Sequence, residues 1–217
     1  MRTDSEIKRD VEDELKYDAS VDSSDIGVSA KNGVVALTGF VHSYGQKLQA
    51  ETDAKRVNGV LGVANDIEVR IASVDARPDP DIARDVIAQI KLELPFSHES
   101  IKAVVKKGWV TLEGNAEWNY QRTAAESAAL RVSGVLGVSN FIKLAPRVSP
   151  TEVKQKIEGA LKRIAQLDAN HITVEANGSD VVLRGSVRSW AERDEAERAA
   201  WLAPGITKVE NHITLAY

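Results

Sequence analysis

The sequence predicts an α+β protein in which one small αββαβ unit occurs three times in tandem, each a three-stranded mixed sheet packed under two helices. Self-similarity at a fixed period is the signature of such an architecture. The motif Val-x-Leu-x-Gly occurs at residues 35–39, 110–114 and 181–185, with offsets of 75 and 71 residues. The same offsets relate a helix-ending glycine (Gly59, Gly134, Gly205) and an Asn-x-Ile motif (Asn65, Asn140, Asn211). Three motifs in one register predict three domains, at residues 1–72, 78–145 and 149–217.

Each unit opens with an amphipathic helix. Thr3-x-x-Glu6 and Ser149-x-x-Glu152 match the capping-box pattern, the latter with Pro150 at the first helical position, and Asp79 is expected to cap the middle helix ahead of Pro80. Apolar residues then recur every four positions, which places a narrow stripe toward a core. They are Ile7, Val11 and Leu15; Ile82, Val86 and Ile90; Val153, Ile157 and Leu161.

Two strands with alternating apolar residues follow, joined by tight turns. Asn32-Gly33, Lys107-Gly108 and Asn177-Gly178 are the predicted turn pairs, because Asn and Gly tolerate the positive φ that such turns need. The opposite strand face is mostly polar, so both helices are expected to cover the same side of each sheet.

The second helix and the last strand complete each unit. Ser43 and Ser189 are predicted caps, and the buried helix face is alanine-rich: Ala50, Ala54 and Val57; Ala125, Ala129 and Val132; Ala196, Ala200 and Ala203. Gly59, Gly134 and Gly205 are expected to form the C-terminal caps. We expect Gly39, Gly114 and Gly185 to leave room for the start of the second helix. The three asparagines are expected to hold a turn through backbone hydrogen bonds.

Composition excludes several classes of protein. The chain has no cysteine, which excludes disulfides, thiolate metal sites and cysteine nucleophiles. Its net charge of −4 disfavours nucleic acid as a partner. No apolar run is long enough to span a bilayer. The N-terminus has no apolar signal segment, so the sequence as written predicts a cytoplasmic protein; a start further upstream would allow a periplasmic one. The four histidines occupy unrelated positions, so we expect no metal site, no cofactor and no catalytic triad, and hence no enzyme.

The order of these motifs resembles the BON (bacterial OsmY and nodulation) domain. The resemblance covers Thr3 to Leu215, and chains with three such domains are known as osmotically inducible or transport-associated proteins. It implies a non-enzymatic, stress-associated binding or scaffolding protein that binds protein or anionic phospholipid surfaces. It also leaves open a small-ligand or ion sensor, with potassium as the ion, and a homo-oligomer.

The middle unit differs from its neighbours in charge and aromatic content. Residues 75–147 carry a net charge of +1, against −4 for residues 1–74 and −1 for residues 148–217. Trp118 stands where the other units have a capping serine. Loss of such a cap lowers helix stability by about 1 kcal/mol, which suggests a compensating contact. One interpretation is a lipid- or partner-binding patch; its members are Trp109, Trp118, Tyr120, Lys106, Lys107 and Arg122. The other is that these aromatics, with Trp190 and Trp201, pack between domains or subunits.

Overall fold

The computed structural model describes residues 2–71, 77–145, 153–164 and 171–216. The capping residues expected at Ser149, Pro150 and Glu152 lie outside these ranges. Along the chain the helices are α1 (Asp4–Tyr17), α2 (Tyr44–Arg56), α3 (Asp79–Glu93), α4 (Asn119–Leu130), α5 (Val153–Arg163) and α6 (Trp190–Trp201). The strands are β1 (Ile26–Lys31), β2 (Val34–Val41), β3 (Gly62–Asn65), β4 (Glu68–Val69), β5 (Ile101–Lys106), β6 (Trp109–Ala116), β7 (Gly137–Leu144), β8 (Ile172–Asn177), β9 (Asp180–Val187) and β10 (Lys208–Leu215).

Each domain contains one mixed sheet, which confirms the predicted α+β fold. The central strand (β2, β6 or β9) pairs antiparallel with the strand before it and parallel with the strand that follows the second helix. In the first domain the last strand is interrupted at Asp66 and Ile67, so that β3 and β4 both pair with β2. Both helices lie on one face of the sheet, and the predicted apolar stripe of each first helix is buried.

The alanine-rich face of each second helix is buried against its sheet, as predicted. Small side chains let helix and sheet approach closely, so the cores are built from aliphatic residues with alanine as the spacer. Each core remains within its own domain. The three domains are therefore packed separately and meet only through surface residues.

Three local predictions were wrong. Asp79 is the first residue of α3 and Pro78 is its N-cap, so the Asp79 side chain does not cap the helix. In the third domain the turn residues are Gly178 and Ser179, one position later than predicted, since Asn177 pairs with Asp180. The second helices end before the repeated glycines Gly59, Gly134 and Gly205, so these glycines are not the C-caps; the C-caps are Val57, Arg131 and Leu202.

Candidate functional site

The middle domain carries most of the large apolar side chains that are exposed within the described residues. Of the twelve large apolar side chains that are exposed within the described residues, seven belong to this domain. They are Ile87, Leu92, Phe96, Val104, Trp109, Tyr120 and Phe141. An excess of exposed apolar side chains is informative because soluble domains usually disperse them.

Three of these residues lie together on the open face of the β5–β6–β7 sheet. Val110 and Leu112 of β6 point into the core, so Trp109 and Thr111 point to the opposite, helix-free face. Val104 is opposite Thr111 on β5, and Phe141 follows on β7 beside Glu113. Val104 is 57%, Trp109 46% and Phe141 64% exposed.

The Trp109 ring lies across the neighbouring strand. Its Nε1 donates a hydrogen bond to Ser139 Oγ at 2.9 Å. A Cβ added to Gly137 would lie 2.4 Å from the ring, so the glycine provides the groove in which the indole rests. The ring is thus fixed on β7 and keeps one side toward solvent.

Lysines surround this apolar centre, and we call the whole surface the middle sheet face. Lys102 and Lys106 alternate with Val104 on β5, Lys143 follows Phe141 on β7, and Lys107 is in the adjoining turn. Within the described ranges none of the four ammonium groups is in an ion pair, and Glu113 is the one carboxylate among the outward-facing strand residues. The positions aligned with Val104, Trp109 and Phe141 are Ser29, Val34 and Asp66 in the first domain and Glu175, Asp180 and His212 in the third. The combination of apolar and basic groups is therefore specific to the middle domain.

The structure divides the six predicted patch residues between two places. Trp109, Lys106 and Lys107 belong to the start of β6 and its turn, whereas Trp118 follows the end of that strand. Eight residues of strand separate the two ends by about 26 Å. The six residues therefore do not lie in one place, because residues close in sequence lie at opposite ends of a strand.

Trp118, Tyr120 and Arg122 line a cleft between the middle and third domains. The cleft has a volume of about 950 Å³, and α6 contributes its other wall through Asp194, Glu197, Arg198, Trp201 and Leu202. The Arg122 guanidinium lies 5.0 Å from the centre of the Trp201 ring, within cation–π range. We call this space the α4–α6 cleft.

Helix α4 lacks the serine cap of the other two second helices. An indole has no acceptor for a backbone N–H, and the Trp118 side chain makes no capping hydrogen bond. Gln121 Oε1 accepts from the backbone N–H groups of Glu117 and Trp118 at 2.9 and 3.0 Å, and Gln46 and Glu192 make the equivalent bond in the serine-capped helices. Its Nε2 donates to Ser97 Oγ at 2.9 Å, which ties the start of α4 to the loop before β5.

The corresponding junction between the third and first domains is filled by Trp190. Its Nε1 donates to the Val60 carbonyl at 3.2 Å. Lys55 and Arg193 lie over the ring, with their charged atoms 5.2 and 5.5 Å from its centre. Trp190 therefore packs between domains, as the second interpretation of the aromatics predicts.

The three junctions form a closed ring. The start of α2 faces the end of α4, the start of α4 faces the end of α6, and the start of α6 faces the segment after α2. The cavities at the first and last of these junctions are smaller, about 570 and 460 Å³. A head-to-tail contact that closes after three copies is the geometry of a cyclic trimer, here within one chain.

The repeated asparagine fastens the second helix to the sheet in every domain. In the middle domain Asn140 Nδ2 donates to the Arg122 carbonyl and to Glu126 Oε2, both at 3.0 Å, and its Oδ1 accepts from Ile142 N at 3.1 Å. Asn65 and Asn211 make the same three bonds in their domains. The predicted backbone role is confirmed, and the glutamate partners were missed although Glu51, Glu126 and Glu197 recur at the same offsets.

Comparison with known proteins agrees with this repeated architecture. The BON domain family model matches residues 3–71, 78–146 and 149–217. The chain belongs to the BON domain family. It is also 31% identical over 144 residues to the osmotically-inducible protein Y of Escherichia coli, covering 64% of this chain and 72% of that protein.

Two solved structures align over most of the chain with low similarity. Structures of CdsD, a structural protein of the type III secretion system of Chlamydia trachomatis, are 15% and 14% identical. The alignments cover 97% and 96% of this chain and 92% and 96% of those chains, with TM-scores of 0.27 and 0.28. At such TM-scores the likeness carries no argument about this protein.

The glycine that ends the Val-x-Leu-x-Gly motif of each BON domain is required by a neighbouring strand. A Cβ on Gly39, Gly114 or Gly185 would lie 1.9 Å from the carbonyl oxygen that precedes the first strand, and all three have positive φ. The room that we expected the second helix to need is thus taken by the paired strand. Gly59 and Gly134 also have positive φ, and their nearest neighbours belong to Ile7 and Ile82 of the first helices.

In two BON domains an aspartate joins the first helix to the hairpin turn. Asp4 accepts from the N–H groups of Asn32 and Gly33 at 2.9 and 3.0 Å. Asp79 accepts from those of Lys107 and Gly108 at 2.7 and 2.9 Å. The Gly108 and Lys107 bonds hold the pKa of Asp79 below its usual value, and those of Gly33 and Asn32 do the same for Asp4.

The first BON domain contains a buried carboxylate where the other two have alanine. Asp53 is 0% exposed, and the aligned residues are Ala128 and Ala199. Its Oδ1 accepts from Gln49 Nε2 at 2.8 Å and from Arg56 Nη1 at 3.2 Å, whereas Oδ2 has no hydrogen-bond partner among the described residues. Burial raises the pKa of Asp53.

Two kinds of functional feature are absent from the described residues. No group of three His, Cys, Asp or Glu side chains there could hold a metal ion. No helix there is long and apolar enough to cross a membrane.

Proposed function

We propose that this BON protein is a non-enzymatic, osmotic-stress-associated protein that binds anionic phospholipid surfaces through its middle sheet face. The supporting observation is the cluster of Val104, Trp109 and Phe141, ringed by four lysines outside any described ion pair. The relative named as osmotically inducible supports the stress association.

The chemistry of the face fits a lipid headgroup layer. An aromatic ring with a polar edge is stable at the membrane interface. Trp109 is such a ring, and Ser139 and Gly137 fix it on the open face of the sheet. Each lysine near an anionic leaflet contributes about 1 kcal/mol, so four give about 4 kcal/mol at low ionic strength. The attraction falls off over a Debye length of about 10 Å at 0.1 M salt, so binding should be salt-sensitive.

Vesicle binding tests the proposal. The intact protein is mixed with vesicles containing phosphatidylglycerol or only phosphatidylcholine, at about 0.02 M and 0.5 M salt. We expect binding to the anionic vesicles at low salt and little binding to the neutral ones. Replacing Lys102, Lys106 and Lys143 by Gln removes about 3 kcal/mol, a loss of more than about a hundredfold in affinity.

A matched control lies in the first domain. Lys31 occupies the position of Lys106 in its own hairpin, and it is also exposed. Lys31→Gln should bind anionic vesicles like the wild type. Equal binding to neutral vesicles, equal weakening by Lys31→Gln, or no binding at low salt would each contradict the proposal.

A further inference from the structure

The α4–α6 cleft differs from the other two junctions at one aligned position. Trp190, the first residue of α6, fills the junction between the third and first domains. The aligned residue in the middle domain is Asn119, which is too small to fill the same space. The α4–α6 cleft is accordingly the largest of the three junction cavities, at about 950 Å³.

Asn119 also leaves a polar atom unsatisfied in the cleft wall. Its Oδ1 is buried and has no hydrogen-bond partner among the described residues. An unmade hydrogen bond on a buried acceptor costs about 1–3 kcal/mol. This oxygen is shielded from solvent, so it adds to the cost of the junction and is not itself a contact for a ligand in the cleft.

The charged groups of the cleft are balanced but separated. Arg198 is paired with Glu195, at 2.5 and 2.8 Å, and Glu197 accepts from Asn211. Glu197 is in no described ion pair, but it has this hydrogen bond; Arg122 and Asp194 are the two lining charges whose side chains make neither an ion pair nor a hydrogen bond within the described ranges. One guanidinium and one carboxylate suit a ligand that itself carries one carboxylate and one ammonium group.

The remaining lining is aromatic. Trp118, Tyr120 and Trp201 contribute apolar faces, and Arg122 is oriented by its contact with Trp201. Aromatic rings recognise flat apolar groups by stacking or edge contacts. The lining therefore selects a zwitterion with an aromatic side chain.

We propose that the α4–α6 cleft binds a free aromatic α-amino acid. Arg122 binds its carboxylate, Asp194 binds its ammonium group, and Trp118 and Trp201 enclose its ring. This site is separate from the middle sheet face and does not depend on the lipid proposal.

Calorimetric titration of the intact protein with L-phenylalanine tests the assignment. We expect a Kd of about 1 mM or lower. 3-Phenylpropanoate lacks the ammonium group and 2-phenylethylamine lacks the carboxylate, so each should bind at least about tenfold more weakly. Absence of heat with L-phenylalanine at about 10 mM, or equal binding of all three compounds, overturns the proposal.

Three variants locate the site. Asn119→Trp copies the residue that fills the other junction and should weaken binding by at least about tenfold. Arg122→Gln leaves the backbone carbonyl that Asn140 uses and should also weaken binding about tenfold, so it serves if the first variant is unstable. Lys31→Gln, in the first-domain hairpin and outside both proposed sites, should bind like the wild type. The assignment is overturned if Arg122→Gln binds L-phenylalanine as tightly as the wild type, or if Lys31→Gln loses as much affinity as Arg122→Gln.

Discussion

Asp53→Asn should stabilise the protein at neutral pH. The buried Asp53 carboxylate has one oxygen without a hydrogen-bond partner among the described residues, while Gln49 and Arg56 contact the other. An amide keeps the acceptor that Gln49 uses and replaces the unsatisfied oxygen by a donor. The Asp18 carboxyl is a near neighbour, since Gln49 Nε2 also donates to it at 2.9 Å. The pKa of Asp18 is lowered mainly by Ser20 and further by Gln49 and Asp53.

The magnitude follows from the unmade bond. An unsatisfied buried group costs about 1–3 kcal/mol. We expect about 1 kcal/mol of stabilisation, the lower end, because the half-exposed Arg56 already offsets part of the charge. For a protein of this size that corresponds to an increase of about 2–4 °C in Tm.

The pH dependence gives a second test. Desolvation raises the folded-state pKa of Asp53, with further upward contributions from Asp18 and Glu14 and an opposing one from Arg56. The charged form therefore costs stability above this raised pKa, and the cost disappears as the pH falls through it. The advantage of Asp53→Asn should shrink between pH 7 and pH 4, about the usual carboxyl range.

Thermal and urea unfolding at both pH values measure this difference. Asp13→Asn on the exposed side of α1 is the control and should leave Tm unchanged at both. A variant less stable than the wild type at pH 7, or an advantage of the same size at both pH values, would refute the reasoning.

Three further predictions concern positions fixed by close contacts. Gly137→Ala places a Cβ 2.4 Å from the Trp109 ring, so it should lower the free energy of unfolding by about 1–3 kcal/mol and shift the tryptophan fluorescence. Gly62→Ala is the control: its nearest neighbours are 3.9 Å away, and it should change neither quantity. Gly114→Ala combines a φ of +125° with a 1.9 Å contact to a carbonyl oxygen, and its expected loss exceeds about 3 kcal/mol by urea unfolding. Asp79→Asn weakens the hydrogen bonds to the β5–β6 turn. Because the pKa of Asp79 is lowered in the folded state, its contribution to stability is present above the unfolded pKa and is lost as the pH falls through the folded pKa. Wild type and variant should therefore converge in Tm at acid pH.

The fold was predictable because every landmark occurs three times. Helix stripes, strand alternation and the asparagine motif are local patterns, and repetition in one register distinguishes them from chance. The hydrogen bond between Asn140 and Glu126 was not predictable from repetition, because the glutamate recurs as regularly as the asparagine but resembles a solvent-exposed helix residue. The contact is visible only when helix and strand are placed side by side.

The candidate sites were less predictable because they depend on distance in space. Trp109 and Trp118 are nine residues apart in sequence, yet a whole strand separates them. Phe141 joins Trp109 through the parallel pairing of β7 with β6, which no local pattern indicates. Asp53 is a charged residue buried on α2, and its burial results from how α2 packs, which no local pattern indicates.

The ring explains how repeated domains acquire different surfaces without changing fold. Each junction presents the same helix start to the same helix end, so the first residue of the second helix decides how it is filled: Tyr44, Asn119 or Trp190. The sheet faces point away from the helices and are free to change separately. The middle sheet face and the α4–α6 cleft share no residue, and Trp109 lies about 26 Å from the cleft end of β6. Effects of mutations this far apart usually add, so a variant combining Trp109→Ala with Arg122→Gln should lose vesicle binding and amino-acid binding by the factors of the single variants. A combined loss that departs from their product would mean that the two sites are coupled through the domain between them.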